Sequence, residues 1–83
     1  MKIIVKIEED HLIGFFPEIL GTNDPNTFEG FAFQEGHNYA HLDYINSLKN
    51  PSKKRAQEFV KELEEYYNSL SEDAIKLELI DKV

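Results

Sequence analysis

From residue 53 to residue 70 the chain places Ala56, Phe59, Val60, Leu63, Tyr67 and Leu70 at three- and four-residue spacing, with Glu58, Lys61, Glu62 and Glu65 between them. That spacing gathers the apolar side chains along one side of an α-helix of about five turns and the charged ones along the other. Asn50-Pro51-Ser52 supplies the start, with proline near the boundary and Ser52 as N-cap, and Ser71, Glu72 and Asp73 are read as its end. Lys54 with Glu58 and Lys61 with Glu65 stand at i,i+4, where ion pairs add a few tenths of a kcal/mol. A helix with one apolar stripe is stable only when something covers that stripe. In a chain of 83 residues the cover has to come from the rest of the same small unit.

The cover is expected to be a sheet. Lys2 to Glu8 alternates, with Ile3, Val5 and Ile7 on one face and Lys2, Ile4, Lys6 and Glu8 on the other, the period of a half-buried strand. Glu9, Asp10 and His11 form a polar turn, Leu12 to Phe16 resumes an apolar run, and Pro17 is read as its stop because proline cannot donate to a ladder. Gly21 to Thr27 has the composition of a surface loop. Phe28 to Gln34 is a third strand with aromatic side chains on both faces. Glu35 to Asn50 shows no clear period and is assigned to loop, with one helical turn near Leu42 to Leu48. After the helix, Lys76 to Ile80 alternates again as a final strand.

The resulting order is β-β-β-α-β in one α+β domain spanning 1–83, an antiparallel meander covered by one amphipathic helix. A right-handed crossover then sets the last strand parallel to the first, in order 3-2-1-4. This arrangement resembles half of a ribonuclease-H-like fold. Six Phe and four Tyr within a 41% hydrophobic composition give such a domain enough to bury.

Composition removes several classes of function. There is no cysteine, which excludes disulfides, thiolate zinc sites and cysteine nucleophiles. A net charge of −7 repels phosphate backbones and anionic lipid, so neither nucleic acid nor membrane is an expected partner; it would attract a basic protein, although a surface that keeps a small protein soluble is the stronger reading of the charge. Lysines interrupt the apolar N-terminal run too early for a signal peptide or a membrane span, and the expected location is the cytoplasm.

Few residues form a chemical constellation. His37 and His41 are four apart with Glu35 and Asp43 nearby, and on a helical turn they would share a metal; the segment lacks helical period, so surface histidines are the stronger reading and no metal or cofactor is expected. Asp24 follows Thr22 and Asn23 and precedes Pro25, a sequence that Asx-turn chemistry explains without a ligand. Lys53, Lys54 and Arg55 at the helix start would suit an anion, but neighbouring side chains there point in different directions. No glycine-rich phosphate loop, nucleophile elbow or paired catalytic carboxylates occur, and no catalytic residue is assigned.

Two resemblances arise from the stretch beginning at Gly14. Gly14-Phe15-Phe16-Pro17-Glu18-Ile19-Leu20-Gly21 is similar to the hairpin end of HicB-type antitoxins, although Leu20 and Thr22 depart from their pattern and the helix follows later than in that family. Phe16-Pro17-Glu18-Ile19, Gly21-Thr22-Asn23-Asp24-Pro25, Gln34, Asp43-Tyr44 and Pro51 before a Glu-rich helix resemble a family of short proteins of bacteria and their phages. That second resemblance implies a fold and a setting rather than a mechanism. The leading expectation is a non-enzymatic, protein-binding module of a phage or mobile element. The alternatives are a HicB-like antitoxin and a small metal-dependent hydrolase using His37, His41 and Asp43. Asn23, Asp24, Asn38 and Asp43, in the two stretches that a core does not explain, are the expected contact residues.

Overall fold

The computed structural model describes residues 1–20, 22–70 and 75–81. Five strands and two helices follow in the order β1 (Lys2–Glu8), β2 (His11–Leu20), β3 (Thr27–Ala32), β4 (Gly36–His41), α1 (Leu42–Ser47), α2 (Lys53–Leu70) and β5 (Glu78–Leu79). The sheet order is β4-β3-β2-β1-β5. β1 to β4 pair as an antiparallel meander, and β5 lies parallel to β1 through Lys2↔Glu78 and Ile3↔Leu79. The expected α+β meander with a parallel return strand is therefore present, widened by one further strand.

That strand, β4, occupies the stretch assigned to loop. Its alternation is real but weak in hydrophobic contrast: Gly36, Asn38 and Ala40 are half-buried while His37, Tyr39 and His41 are exposed. Small and polar residues suffice on the inner side because an edge strand buries little. A three-residue turn makes the β3–β4 hairpin, with Glu35 N–H donating to Ala32 C=O at 3.1 Å and Gly36 in the left-handed region at φ 79°. Only glycine takes that backbone conformation without strain.

Pro17 does not end β2. The strand runs on to Leu20 through a register shift between Phe16 and Leu20, and an irregularity in the ladder is where proline's missing donor costs nothing. Beside it, Lys2 N–H donates to Glu18 Oε1 at 2.6 Å, just beyond the last β1–β2 backbone pair, Ile4↔Phe15.

The sheet is covered on both faces, which the half-buried reading of β1 did not anticipate. Ile3, Val5, Phe16 and Phe31 pack with Ala56, Phe59, Val60 and Leu63 of α2. Ile4, Ile13, Phe15, Phe28 and Ala32 pack with Ile45 of α1. Lys6 joins the second face almost fully buried, its ammonium donating to Asn50 Oδ1 at 2.7 Å. Gly14 permits the close helix–sheet approach: a Cβ there would stand 2.7 Å from Ile3 Cδ1 and 3.2 Å from the Phe59 ring.

α2 starts where the sequence places it, at Lys53, and is described through Leu70. Ser52 caps it through its Oγ, which accepts from Arg55 N–H at 3.2 Å. The proposed end at Ser71, Glu72 and Asp73 falls outside the described residues. Neither Lys54–Glu58 nor Lys61–Glu65 closes to an ion pair among the described residues, as expected where exposed long side chains would lose more freedom than the contact returns. Glu64 and Asn68 on α2 accept from the N–H groups of Leu77 and Ile75, which steers the returning chain to the β1 edge. No described helix is long and apolar enough to cross a membrane.

Candidate functional site

β4 ends the sheet, and among the described residues nothing pairs with its outer side. Alternate N–H and C=O groups of an antiparallel edge strand point away from its single neighbour, so β4 presents unpaired donors and acceptors. On the face shared with α2 it carries His37, Tyr39 and His41, opposite Phe31, Glu29 and Thr27 of β3. The helix lies chiefly over β1 and β5 and leaves this side of the sheet open. What fills the gap is aromatic. Phe31 stacks on Tyr66 at 5.4 Å between ring centroids and meets His37 edge-on at 5.0 Å. Phe33 stands against both Phe59 and Tyr66. Tyr39 is 60% exposed and Phe33 42%, a high share for large apolar side chains on so small a protein.

Carboxylates border the aromatic group. Glu29 Oε1 is 3.2 Å from His37 Nδ1. Asp24 Oδ2 and Asp43 Oδ2 stand on either side of the His41 ring, at 3.7 Å from Nε2 and 3.6 Å from Nδ1. His41 also caps α1, its Nδ1 accepting from Asp43 N–H at 3.1 Å. Asp24 closes its loop as an Asx turn, accepting from Asn26 N–H at 2.9 Å and from the Thr27 hydroxyl at 3.1 Å. The Asn26 N–H, followed by the Thr27 hydroxyl and the His41 imidazole, holds the Asp24 carboxyl below the usual carboxylate range against a partial desolvation that acts the other way.

The structure thus brings together two of the expected contact residues, Asp24 and Asp43, with exposed Asn23 in the same loop as Asp24. Asn38 is elsewhere. It lies on the opposite face of β4, facing Gly30, and a Cβ on that glycine would fall 2.6 Å from Asn38 Oδ1. His37 and His41 are not brought to one point either: on a strand, four residues span roughly 13 Å, and each ring faces its own carboxylate. The basic start of α2 does not converge: Lys53 lines a cleft of about 430 Å³ with Asn50, Leu79 and Asp81, whereas Arg55 lines a separate groove with Glu58 and Glu62. The described residues that are grouped as metal ligands would be are Glu8, His11 and Glu35, at the two hairpin tips.

One feature of the chain passes unnoticed in composition alone. All of β2, β3, β4 and α1 lies between Lys6 and Lys49, and from Ile7 to Leu48 there is no Lys or Arg. The positive charges are therefore unevenly placed along the chain, and among the described residues the carboxylates beside β4 pair with histidines. Tyr39 and Glu29 belong to this surface and were missed, because the alternation of residues 36–41 was masked by polar side chains on both faces. Comparison with protein-family models, with curated proteins and with solved structures gives no match in any of the three.

Proposed function

We propose that this protein is a non-enzymatic binding module that takes a basic, extended segment of a partner protein along β4. The observation that carries the reading is an open edge strand, flanked by exposed aromatic rings, in a stretch of 42 residues from Ile7 to Leu48 without Lys or Arg. Edge-strand addition uses the unpaired backbone groups for affinity and alternate side chains for selection. Tyr39 and Phe33 offer apolar contact to the aliphatic stems of lysine or arginine, while Asp24, Glu29 and Asp43 meet the charged heads. The setting that goes with this reading is the cytoplasm, in a phage or mobile element, acting on a host or phage protein. It is supported by the likeness of the Phe16–Ile19 and Gly21–Pro25 segments to a family of short proteins of bacteria and their phages.

A peptide-display selection against the immobilised protein tests the proposal. The enriched peptides are expected to be Lys- and Arg-rich, to associate faster at low than at high ionic strength, and to slow amide exchange from Gly36 to His41. Asp24→Asn with Asp43→Asn should lower the association rate and flatten its dependence on salt. Peptides that bind independently of salt, or that protect the Glu58, Glu62 and Glu65 side of α2 instead, would contradict it.

A further inference from the structure

The first and third turns of a meander lie at the same end of its sheet, and here they bring chemistry together. Glu8 and His11 face one another across the two-residue β1–β2 turn, in which Glu9 takes a left-handed φ of 55°. Glu35 reaches the same point from the β3–β4 turn. His11 Nε2 is buried, has no hydrogen-bond partner among the described residues, and lies 3.8 Å from Glu8 Oε1 and 3.7 Å from Glu35 Oε1. The side chains of His11 and Glu8 are 13% and 15% exposed, and that of Glu35 is 44% exposed.

Both distances are too long for a hydrogen bond, so a proton on Nε2 would satisfy neither carboxylate. Left alone, a buried ring nitrogen between two acceptors costs free energy. A divalent cation resolves all three groups at once: in a tetrahedral site, bonds of about 2.0–2.2 Å to one nitrogen and two oxygens set the ligand atoms roughly 3.3–3.6 Å apart. The two histidine edges are within a few tenths of an ångström of that, all three ligand atoms already lie within 4.8 Å of one another, and torsion of the exposed Glu35 side chain can supply the remaining closure. Two carboxylates also neutralise a doubly charged ion, which suits a site whose Glu8 and His11 side chains are largely withdrawn from water. The orienting contact is in place as well. The Tyr44 hydroxyl on α1 donates to Glu8 Oε2 at 2.5 Å and leaves Oε1 facing the histidine, the kind of outer hydrogen bond that fixes a metal-binding carboxylate.

We propose that Glu8, His11 and Glu35 bind one first-row divalent cation of the zinc or manganese type, with Tyr44 as a positioning residue. A nitrogen with two carboxylate oxygens suits these ions over softer ones, and three protein ligands leave a position open on the Glu35 side. The site is separate from the β4 surface, and the binding function proposed above stands or falls without it.

The test is a zinc titration of tag-free protein, followed by calorimetry and by the imidazole signals of the three histidines. One equivalent should bind, and the His11 signals should move while those of His37 and His41 stay. His11→Gln and Glu35→Gln should each lower the affinity at least tenfold, Tyr44→Phe by about tenfold, and His37→Gln with His41→Gln should leave it unchanged. No uptake by the unmodified protein overturns the proposal, as does uptake that shifts His37 or His41 instead of His11. Because the wild-type spectrum reads the site directly, a variant that fails to fold does not leave the question open.

Discussion

β1 and β4 belong to one sheet and have opposite fates. β1 is buried from Ile3 to Lys6, with Ile3 and Val5 under α2 and Ile4 and Lys6 on the α1 side, whereas β4 alternates between half-buried and exposed along its length. The difference is position in the sheet order: among the described residues β1 has β2 and β5 as neighbours, and β4 has only β3. A central strand spends its side chains on the core and its backbone groups on the ladder. An edge strand keeps part of both available, which makes it a liability when bare and a binding surface when its chemistry suits a partner. The small domain thus buries its central strands and leaves β4 open at the edge, where the proposed recognition would take place.

The largest test of that division is Phe59→Ala. Phe59 is 5% exposed in the core against β1 and β2, and its loss should cost about 3–5 kcal/mol in urea unfolding, enough to unfold much of so small a protein. Equal effects from Phe59→Ala and from Glu62→Ala on the outer side of α2 would break the assignment of the central strands as the stable region.

Ile45→Ala sharpens the comparison from the other face. Ile45 is fully buried and is the one residue of α1 that is, so its truncation should cost about 2–5 kcal/mol by the same measurement. A loss below about 1 kcal/mol would mean that the second face is a covering rather than a core.

A smaller effect appears in alkaline solution. Burial, with Glu29 and Tyr66 adding to it, pushes the Tyr67 phenol up to about 12 from an ordinary value of 10.0. The folded state then holds that proton more tightly than the unfolded chain does. The resulting stability is fully present below pH 10 and is lost as pH rises through about 12. Tyr44 contributes in the same direction, chiefly through its hydrogen bond to Glu8. Thermal melts between pH 9 and 12 should show a shallower alkaline fall in Tyr67→Phe than in wild type; identical slopes would remove Tyr67 from the account.

The smallest expected effect on stability is at the edge. Tyr39→Lys should stay within about 0.5 kcal/mol of wild type, since its side chain is mostly exposed, while abolishing capture of basic peptides by placing a like charge in their path. Destabilisation comparable to that of Ile45→Ala would make β4 part of the structural core.

How much of this was legible in the sequence follows the same line between centre and edge. The start and the buried face of α2 are readable because Phe59, Val60 and Leu63 contrast sharply with Glu58, Lys61 and Glu62 and Ser52 marks its start. β1 showed its period, but Ile4 and Lys6 could not reveal that a second helix covers them, since burial of that face depends on α1 some forty residues away. β4 has no apolar face to announce it. The composition of their loops points to Asp24 and Asp43, which meet at His41, whereas Asn38 lies on the other face of β4, where polar residues on both sides hide the strand alternation. The Glu8–His11–Glu35 group was beyond reach for a different reason: only the sheet's register sets one hairpin tip beside the other.

The division between stable centre and receptive edge is tested most directly by residue-resolved amide hydrogen exchange, on the free protein and with a selected basic peptide bound. The account predicts that Ile3 to Lys6 and Ile13 to Phe16 exchange slowest and are unchanged by the peptide. The outward-facing amides between Gly36 and His41 should exchange fast alone and slow when it binds. Protection that appears instead on α2 or beside β5, with residues 36–41 exchanging as before, would contradict it.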